Sequence, residues 1–178
     1  MRTINLLVLG LVASAAAGSL EAQAAPARTA PITDQLRYLL AQSSSGFRSL
    51  RGDSLGGGTW RNRQVISGEL DSATIASGST ISELDRPRAD GRPGKTIVAV
   101  FPLASATDST HASVYTRYRD LIAGALPSWQ NRSTDGGDWT ECPDPKRGRE
   151  VILSTSRTVA GALLIVLSIT VLPDPTCT

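Results

Sequence analysis

The chain has 178 residues, a formal net charge of +2 and hydrophobic residues at 40% of its positions. A charge this small does not by itself imply a polyanionic partner, and we predict no binding to nucleic acid. With one histidine and two cysteines, the chain has too few soft ligands for a Cys/His zinc site. Because it also contains no cofactor-binding motif, we predict neither a metal ion nor an organic cofactor.

The N-terminal segment has the three parts of a secretory signal peptide. Arg2 supplies a positive start, an apolar-biased stretch covers 4–17, and Ala22-Gln23-Ala24 has the small-x-small pattern of a cleavage site. This stretch is too short to cross a hydrocarbon core of about 30 Å at about 1.5 Å per residue, so we predict no transmembrane span. We expect a signal peptide over 1–24 and a mature chain in the periplasm or outside the cell.

The first elements of the mature chain are a spacer and a helix. Residues 25–32 are rich in proline and alanine and are predicted to form a flexible spacer, followed by one domain over 33–178. Thr33 or Asp34 is expected to cap the first helix. Its apolar positions follow the i, i+3, i+4 pattern: Leu36, Leu39 and Leu40.

The middle of the chain is predicted to hold weak strands between polar loops. Four glycines within 52–58 predict a loop, and 59–77 has weak strand signals. The polar stretch 79–95, which holds two prolines, is expected to be a second exposed loop. Residues 96–103 are apolar on both faces, which is typical of a strand in the middle of a sheet.

The last part of the chain predicts a second helix and a hairpin. Asp108, Ser109 or Thr110 is expected to cap the helix, and Pro127 to end it. The buried stripe of this helix is predicted to comprise Tyr115, Tyr118, Ile122, Ala125 and Leu126. A short strand follows over 139–142, and then strands over 150–158 and 162–172 flank a turn at Ala160-Gly161.

The order of these elements predicts an α+β fold. We expect an antiparallel sheet of about five strands, with two helices packed on one face and a C-terminal β-hairpin. The inward face of the last strand is predicted to pack against both helices, since every second residue along it is apolar: Leu163, Ile165, Leu167, Ile169 and Val171.

The two cysteines are predicted to form a disulfide. Cys142 and Cys177 both lie in the expected mature chain, and an oxidising compartment favours a bridge over free thiols. Cys142 ends a short strand beside the hairpin and Cys177 trails its last strand, so antiparallel pairing would bring the two to one edge.

Two short blocks resemble the motifs of the GDSL esterases and lipases. Gly52-Asp53-Ser54-Leu55 matches the serine block of that family, and Asp108-Ser109-Thr110-His111 matches its Asp-x-x-His block. The resemblance implies a hydrolase in which Ser54 is the nucleophile, His111 the general base and Asp108 the group that orients the base.

The positions of these blocks differ from those in the family. The serine block follows a predicted helix where the family has a strand, and three predicted strands come after His111, whereas the family places that block near the C-terminus. A Gly-x-Asn-Asp block that would supply oxyanion donors is absent from the sequence. We therefore predict no catalytic residues and keep the esterase as the alternative.

Two predicted loops are locally basic. The first contains Arg86, Arg88, Arg92 and Lys95, and the second contains Lys146, Arg147 and Arg149. If both lie at one end of the sheet, they would form an anion-binding rim. The sequence therefore predicts a small exported, non-catalytic domain that binds a ligand or partner or serves the cell envelope structurally, with an envelope protein or an anionic surface as the partners considered.

The predicted cleavage can be checked directly. Mass spectrometry of the protein purified from its native host is expected to find a chain that begins at Ala25 or within a few residues of it, because the small-x-small pattern ends at Ala24. Recovery of a chain with intact Met1 from the cytoplasmic fraction would contradict the prediction.

Overall fold

The computed structural model describes residues 31–63, 79–88, 91–134, 136–144, 147–158 and 161–172, with the backbone alone at 142–144 and 147. The signal peptide over 1–24 and residues 25–30 of the predicted spacer lie outside these ranges, so both stay predictions. Ile32, assigned to the spacer from the sequence, is instead the first residue of a helix.

Two α-helices, one short 3-10 helix (Arg48–Leu50) and eight strands make up the described residues. The helices are α1 (Ile32–Ser43) and α2 (His111–Ala125). The strands are β1 (Arg51–Gly56), β2 (Thr59–Asn62), β3 (Thr80–Asp85), β4 (Lys95–Ala106), β5 (Gln130–Asn131), β6 (Asp138–Asp144), β7 (Arg147–Arg157) and β8 (Leu163–Leu172).

All eight strands form one antiparallel sheet in the order β1-β2-β3-β4-β8-β7-β6-β5. Helix α1 precedes a meander of β1 to β4, helix α2 precedes a second meander of β5 to β8, and the two meanders meet where β4 pairs with β8. The α+β class, the two helices and the antiparallel sheet are confirmed. The predicted number of about five strands is wrong.

Both helices pack on one face of the sheet, which we call the inner face. Ile165, Leu167 and Ile169 of β8 point to this face and are fully buried. They belong to one hydrophobic cluster with residues of α1 and α2: Leu36, Leu39, Leu40, Tyr118 and Ile122. This part of the predicted packing is confirmed, while Val171 packs at the edge of the cluster and Leu163 is only partly buried.

The central strand β4 is apolar on both faces, as the sequence predicts for 96–103. Strand β4 lies in the middle of the sheet, between β3 and β8. A register shift between Pro102 and Ala104 lets Phe101, Leu103 and Ala104 all be buried within one strand. Such a bulge adds one residue to a strand and bends it locally.

The predicted loops at 52–58 and 79–95 contain strands, which accounts for most of the error in strand number. Residues 51–62 form a hairpin of β1 and β2, whose turn uses Gly57 and Gly58 at positive φ. Strand β3 occupies 80–85 and buries one apolar side chain, Ile81, fully. Strands β1 and β3 contain glycine or charged residues, so the sequence gives little signal of a strand there. Edge strands and strands with a solvated side need few apolar residues.

The helix starts differ in detail from the predicted caps. Helix α1 begins at Ile32 after Pro31 without a side-chain cap, so neither Thr33 nor Asp34 caps it; Asp34 lies in the first turn, where a negative charge favours the helix dipole. Thr110 does occupy the N-cap position of α2, but its hydroxyl bonds back to Thr107 rather than into the helix.

The predicted C-terminal hairpin is confirmed, since β7 and β8 pair antiparallel from Gly148 and Leu172 to Arg157 and Leu163. The predicted disulfide falls outside the described residues, because Cys177 lies in 173–178 and only the backbone of Cys142 is described. It stays a prediction. Within the described ranges, neither helix has the length and apolar character needed to cross a bilayer.

A matched pair of truncations tests the assignment of the core. Ile165→Ala is expected to lower the free energy of unfolding by about 2–5 kcal/mol, because it opens a cavity beneath both helices. Leu55→Ala removes a side chain that is 51% exposed, so it should change stability by less than about 0.5 kcal/mol. Chemical denaturation measures both values, and equal losses would contradict the assignment.

Candidate anion-binding groove

A groove of about 610 Å³ lies at the end of the sheet where β4 begins and β8 ends. The C-terminal end of α1 forms one wall, and the start of β7 forms another. Among the described residues, five basic side chains and one carboxylate line it: Arg48, Arg51, Arg88, Lys95 and Arg149, with Glu83. We call this site the basic groove.

The basic groove brings the two predicted basic loops together in part. Arg88 reaches it from the connection between β3 and β4, Lys95 from the start of β4, and Arg149 from β7. Of the other members of the predicted rim, Arg86 and Arg92 are not among its described lining residues. Lys146 lies outside the described residues, and only the backbone of Arg147 is described. Arg86 instead lies near Glu150, and its positive charge acts to lower the pKa of that carboxyl.

The end of α1 that faces the groove has its carbonyl groups covered by hydroxyls. Ser43 donates to Leu40 O at 2.6 Å, Ser44 to Ala41 O at 2.8 Å, and Ser45 to Gln42 O at 2.9 Å. The last turn of a helix carries a partial negative charge on such carbonyls. Donation from the three hydroxyls therefore reduces a field that would repel an anion.

The turn after α1 depends on two residues with positive φ. Gly46 has φ 64° and Phe47 has φ 57°, and Phe47 is the one non-glycine residue with positive φ in the described ranges. A Cβ on Gly46 would lie 2.7 Å from Ile97 Cδ1. Gly46 therefore lets the chain turn tightly over β4, and the buried ring of Phe47 anchors the turn in the core.

Arg51 connects this turn to the far side of the groove. Its Nη2 donates to Gly46 O at 2.9 Å and to Glu83 Oε1 at 2.5 Å, and its guanidinium lies 4.1 Å from the centre of the Trp60 ring. Lys95 Nζ donates to the other oxygen of Glu83 at 3.2 Å. The hydrogen bond from Arg51, helped by Lys95, holds the pKa of Glu83 below its ordinary value despite a smaller, opposing effect of burial.

Arg149 has the matching role on the β7 side. It donates to Leu40 O at 3.1 Å, forms an ion pair with Glu141, and lies 5.6 Å from the centre of the Trp129 ring. Arg149 thus donates to a main-chain carbonyl in the last turn of α1, and Arg51 donates to one in the turn that follows; the helix has no basic residue in its own last turn. Cations at this position stabilise a helix.

Arg48 and Arg88 differ from the other groove cations because neither forms an ion pair with any described residue. Both side chains belong to exposed residues at the mouth of the groove. Sequence reasoning missed Arg48, Arg51 and Glu83. The available signal was the run Ser43-Ser44-Ser45-Gly46 followed by two arginines, which is a helix end with cations just beyond it.

The triad that the GDSL resemblance implies is not assembled. Ser54 lies exposed on β1 at one edge of the sheet, and its Oγ accepts a hydrogen bond from Gly56 N at 3.3 Å. His111 Nε2 bonds to Thr155 Oγ1 of β7 at 2.6 Å. Five strand spacings of about 4.8 Å separate β1 from β7, which puts the serine about 24 Å from the strand that holds the histidine.

Asp108 also has a different partner from the one a triad requires. It accepts a hydrogen bond from Arg157 Nη2 at 3.2 Å, and no contact among the described residues joins it to His111. The serine block therefore forms part of hairpin strand β1, and the Asp-x-x-His block leads into the start of helix α2. The arrangement offers no route for a proton from Ser54 to His111.

Among the residues that the structure describes, no three His, Cys, Asp or Glu side chains form a group able to hold a metal ion. Comparison of the chain with protein-family models, with curated proteins and with solved structures found no match in any of the three. The function of the chain is therefore inferred from the groove itself.

Two glutamates are expected to change stability in opposite directions. Glu83 has a lowered pKa, so its ionised form stabilises the fold above the ordinary value of 4.5, and this contribution is lost as the pH falls through the folded-state pKa. The pKa of Glu150 is raised by burial and then by the charge of Asp138, so ionised Glu150 costs stability as the pH rises through its folded-state pKa.

Glu83→Gln should therefore lower the thermal unfolding midpoint at pH 7, and Glu150→Gln should raise it. Both differences from the unmodified protein should shrink toward pH 4, where more of each carboxyl is protonated. Scanning calorimetry at pH 7 and pH 4 measures the unfolding midpoints of both variants and of the unmodified protein. A Glu83→Gln variant as stable as the unmodified protein at pH 7 would show that the ion pairs with Arg51 and Lys95 contribute nothing.

Proposed function

We propose that the chain is an exported, non-catalytic binding domain that holds an anionic ligand in the basic groove. The observation that carries this proposal is the convergence of five cationic side chains, from three separate segments of the chain, on one cavity in which Glu83 is the single carboxylate among the described lining residues. Like charges repel and desolvated cations are costly, so a cluster of this kind is stabilised when an anion joins it.

The cations divide into two groups by what they already contact. Arg51 and Arg149 are committed to the end of α1 and to Glu83 and Glu141. Arg48 and Arg88, which lack ion-pair partners within the described ranges, are the groups available to a ligand. Lys95 is intermediate, because its single hydrogen bond to Glu83 leaves a side chain that is 64% exposed.

The geometry favours binding over catalysis. Among the described residues that line the groove, none is a histidine or a cysteine. The three serine hydroxyls already donate to carbonyls of α1, and the lowered pKa of Glu83 makes it a weak base. A nucleophile activated by a neighbouring base would need the opposite arrangement.

Glu83 occupies the position of an internal competitor for the ligand. Its two carboxylate oxygens bond to Arg51 and Lys95, the same cations that an incoming anion would meet. Removal of its charge raises the positive potential of the groove, whereas removal of a free arginine lowers it. The proposal thus requires opposite effects from two substitutions in one site.

Calorimetric titration with methyl phosphate at low ionic strength tests the proposal. Arg88→Gln and Arg48→Gln should each weaken binding by about fivefold, the effect of losing one charge-assisted hydrogen bond of about 1 kcal/mol. Glu83→Gln should tighten binding. Arg157→Gln is the matched control, since Arg157 pairs with Asp108 at the opposite end of β7. Added salt should weaken binding to the unmodified protein.

Two outcomes of this titration would overturn the proposal. The first is the absence of saturable binding to an unmodified protein that circular dichroism shows to be folded. The second is equal affinity of the Arg88→Gln and Arg157→Gln variants, which would mean that the phosphate binds by net charge and not in the groove.

A further inference from the structure

The basic groove has an apolar floor as well as a cationic mouth, and from this combination we infer that its ligand is an amphiphile, with an anionic head and an aliphatic chain. This inference rests on the proposed function and deepens it, because it names the chemical class of the anion. The head would lie among Arg48, Arg88 and Lys95, and the chain would lie along β4 and β8.

The floor is built from the ends of the two central strands. Ile97 of β4 and Val171 of β8 are direct cross-strand partners, so their side chains share the inner face of the sheet where they line the groove. Both are partly buried and pack against the hydrophobic core. The floor is therefore a continuation of the core to the surface, at the one end of the sheet where α1 has already ended.

The turn after α1 borders this floor. Gly46 approaches Ile97 so closely that a Cβ there would meet Ile97 Cδ1 at 2.7 Å. The main chain of the turn therefore lies against Ile97 without adding a side chain to the groove.

The size of the groove argues against a small inorganic anion as its full occupant. A volume of about 610 Å³ equals that of about twenty water molecules at about 30 Å³ each. A phosphate ion would leave most of this space filled with water over apolar side chains. An aliphatic chain that displaced this water would gain about fourfold in affinity for each buried methylene group.

The charges are arranged so that such a ligand has one favourable orientation. Arg48, Arg88 and Lys95 are exposed and lie at the mouth, whereas Ile97 and Val171 lie at the floor. An amphiphile would place its head outward and its chain inward. The two halves of the site can therefore be tested separately.

The experiment compares methyl phosphate, octyl phosphate below its micellar concentration, and octanol, by calorimetric titration of the full mature chain. Octyl phosphate should bind at least about tenfold more tightly than methyl phosphate, even if only a few methylene groups are buried. Arg88→Gln should weaken both phosphates by the same factor. Val171→Ser should weaken octyl phosphate by at least about threefold and leave methyl phosphate unchanged.

Leu84→Ser is the control for Val171→Ser, because Leu84 is 52% exposed and does not line the groove. The chain-length comparison on the unmodified protein needs no variant, so it stands even if Val171→Ser does not fold.

Two results would overturn the inference in distinguishable ways. Equal affinity for methyl and octyl phosphate, both weakened by Arg88→Gln, would show that the groove binds anions but does not select an aliphatic chain. Equal affinity for octyl phosphate and octanol, insensitive to Arg88→Gln, would show that the anionic head is not recognised, which contradicts the proposed function as well.

Discussion

The burial of one face of β8 beneath two helices is the constraint on which the rest of the structure depends. Strand β8 has the central position, between β4 and β7, and the inward side chains Ile165, Leu167 and Ile169 contact no solvent. Each fully buried side chain of this size contributes about 1.5–3 kcal/mol through the hydrophobic effect. Because both helices use the same strip of apolar surface, they are forced onto the same face.

That packing creates a second requirement at the end of α1. The helix stops over the sheet, so its last carbonyl groups face a cavity lined by protein and cannot all be left to bulk water. The chain satisfies them with serine hydroxyls from the same helix end and with Arg149 from distant β7, while Arg51 donates to Gly46 O in the turn that follows. The positive charge of the groove therefore has a structural origin, and Arg48, Arg88 and Lys95 add to it.

Much of the fold follows from local patterns in the sequence, while the site follows from long-range contacts. Alternating apolar residues predict β8, and helical spacing predicts α1 and α2. Strands β1 and β3 escape prediction, because Gly52, Asp53 and Glu83 fit an edge or a solvated position only once the neighbouring strand is known. Propensity is a weak guide where pairing, and not burial, holds a strand in place.

The same distinction explains which site residues the sequence could identify. Arg88, Lys95 and Arg149 stand in local clusters of basic residues, and the groove does bring them together. Arg51 and Glu83 are far apart in the chain and give no local signal, yet their contact forms the centre of the site. The serine block around Ser54, which resembles a catalytic motif, belongs to a hairpin strand. Four matching residues do not determine where the partner residues of a catalytic site lie.

The meeting of the two meanders at β4 and β8 also bears on how the chain folds and how a ligand would affect it. The hairpin contacts within each meander join residues close in sequence, whereas Ala106 pairs with the distant Leu163. Such a non-local pairing closes a long loop and forms slowly. The groove straddles this seam, since Glu83 and Lys95 come from the first meander and Arg149 from the second. A bound molecule would therefore contact both meanders. Its free energy of binding would stabilise their association, which interactions local in sequence do not provide.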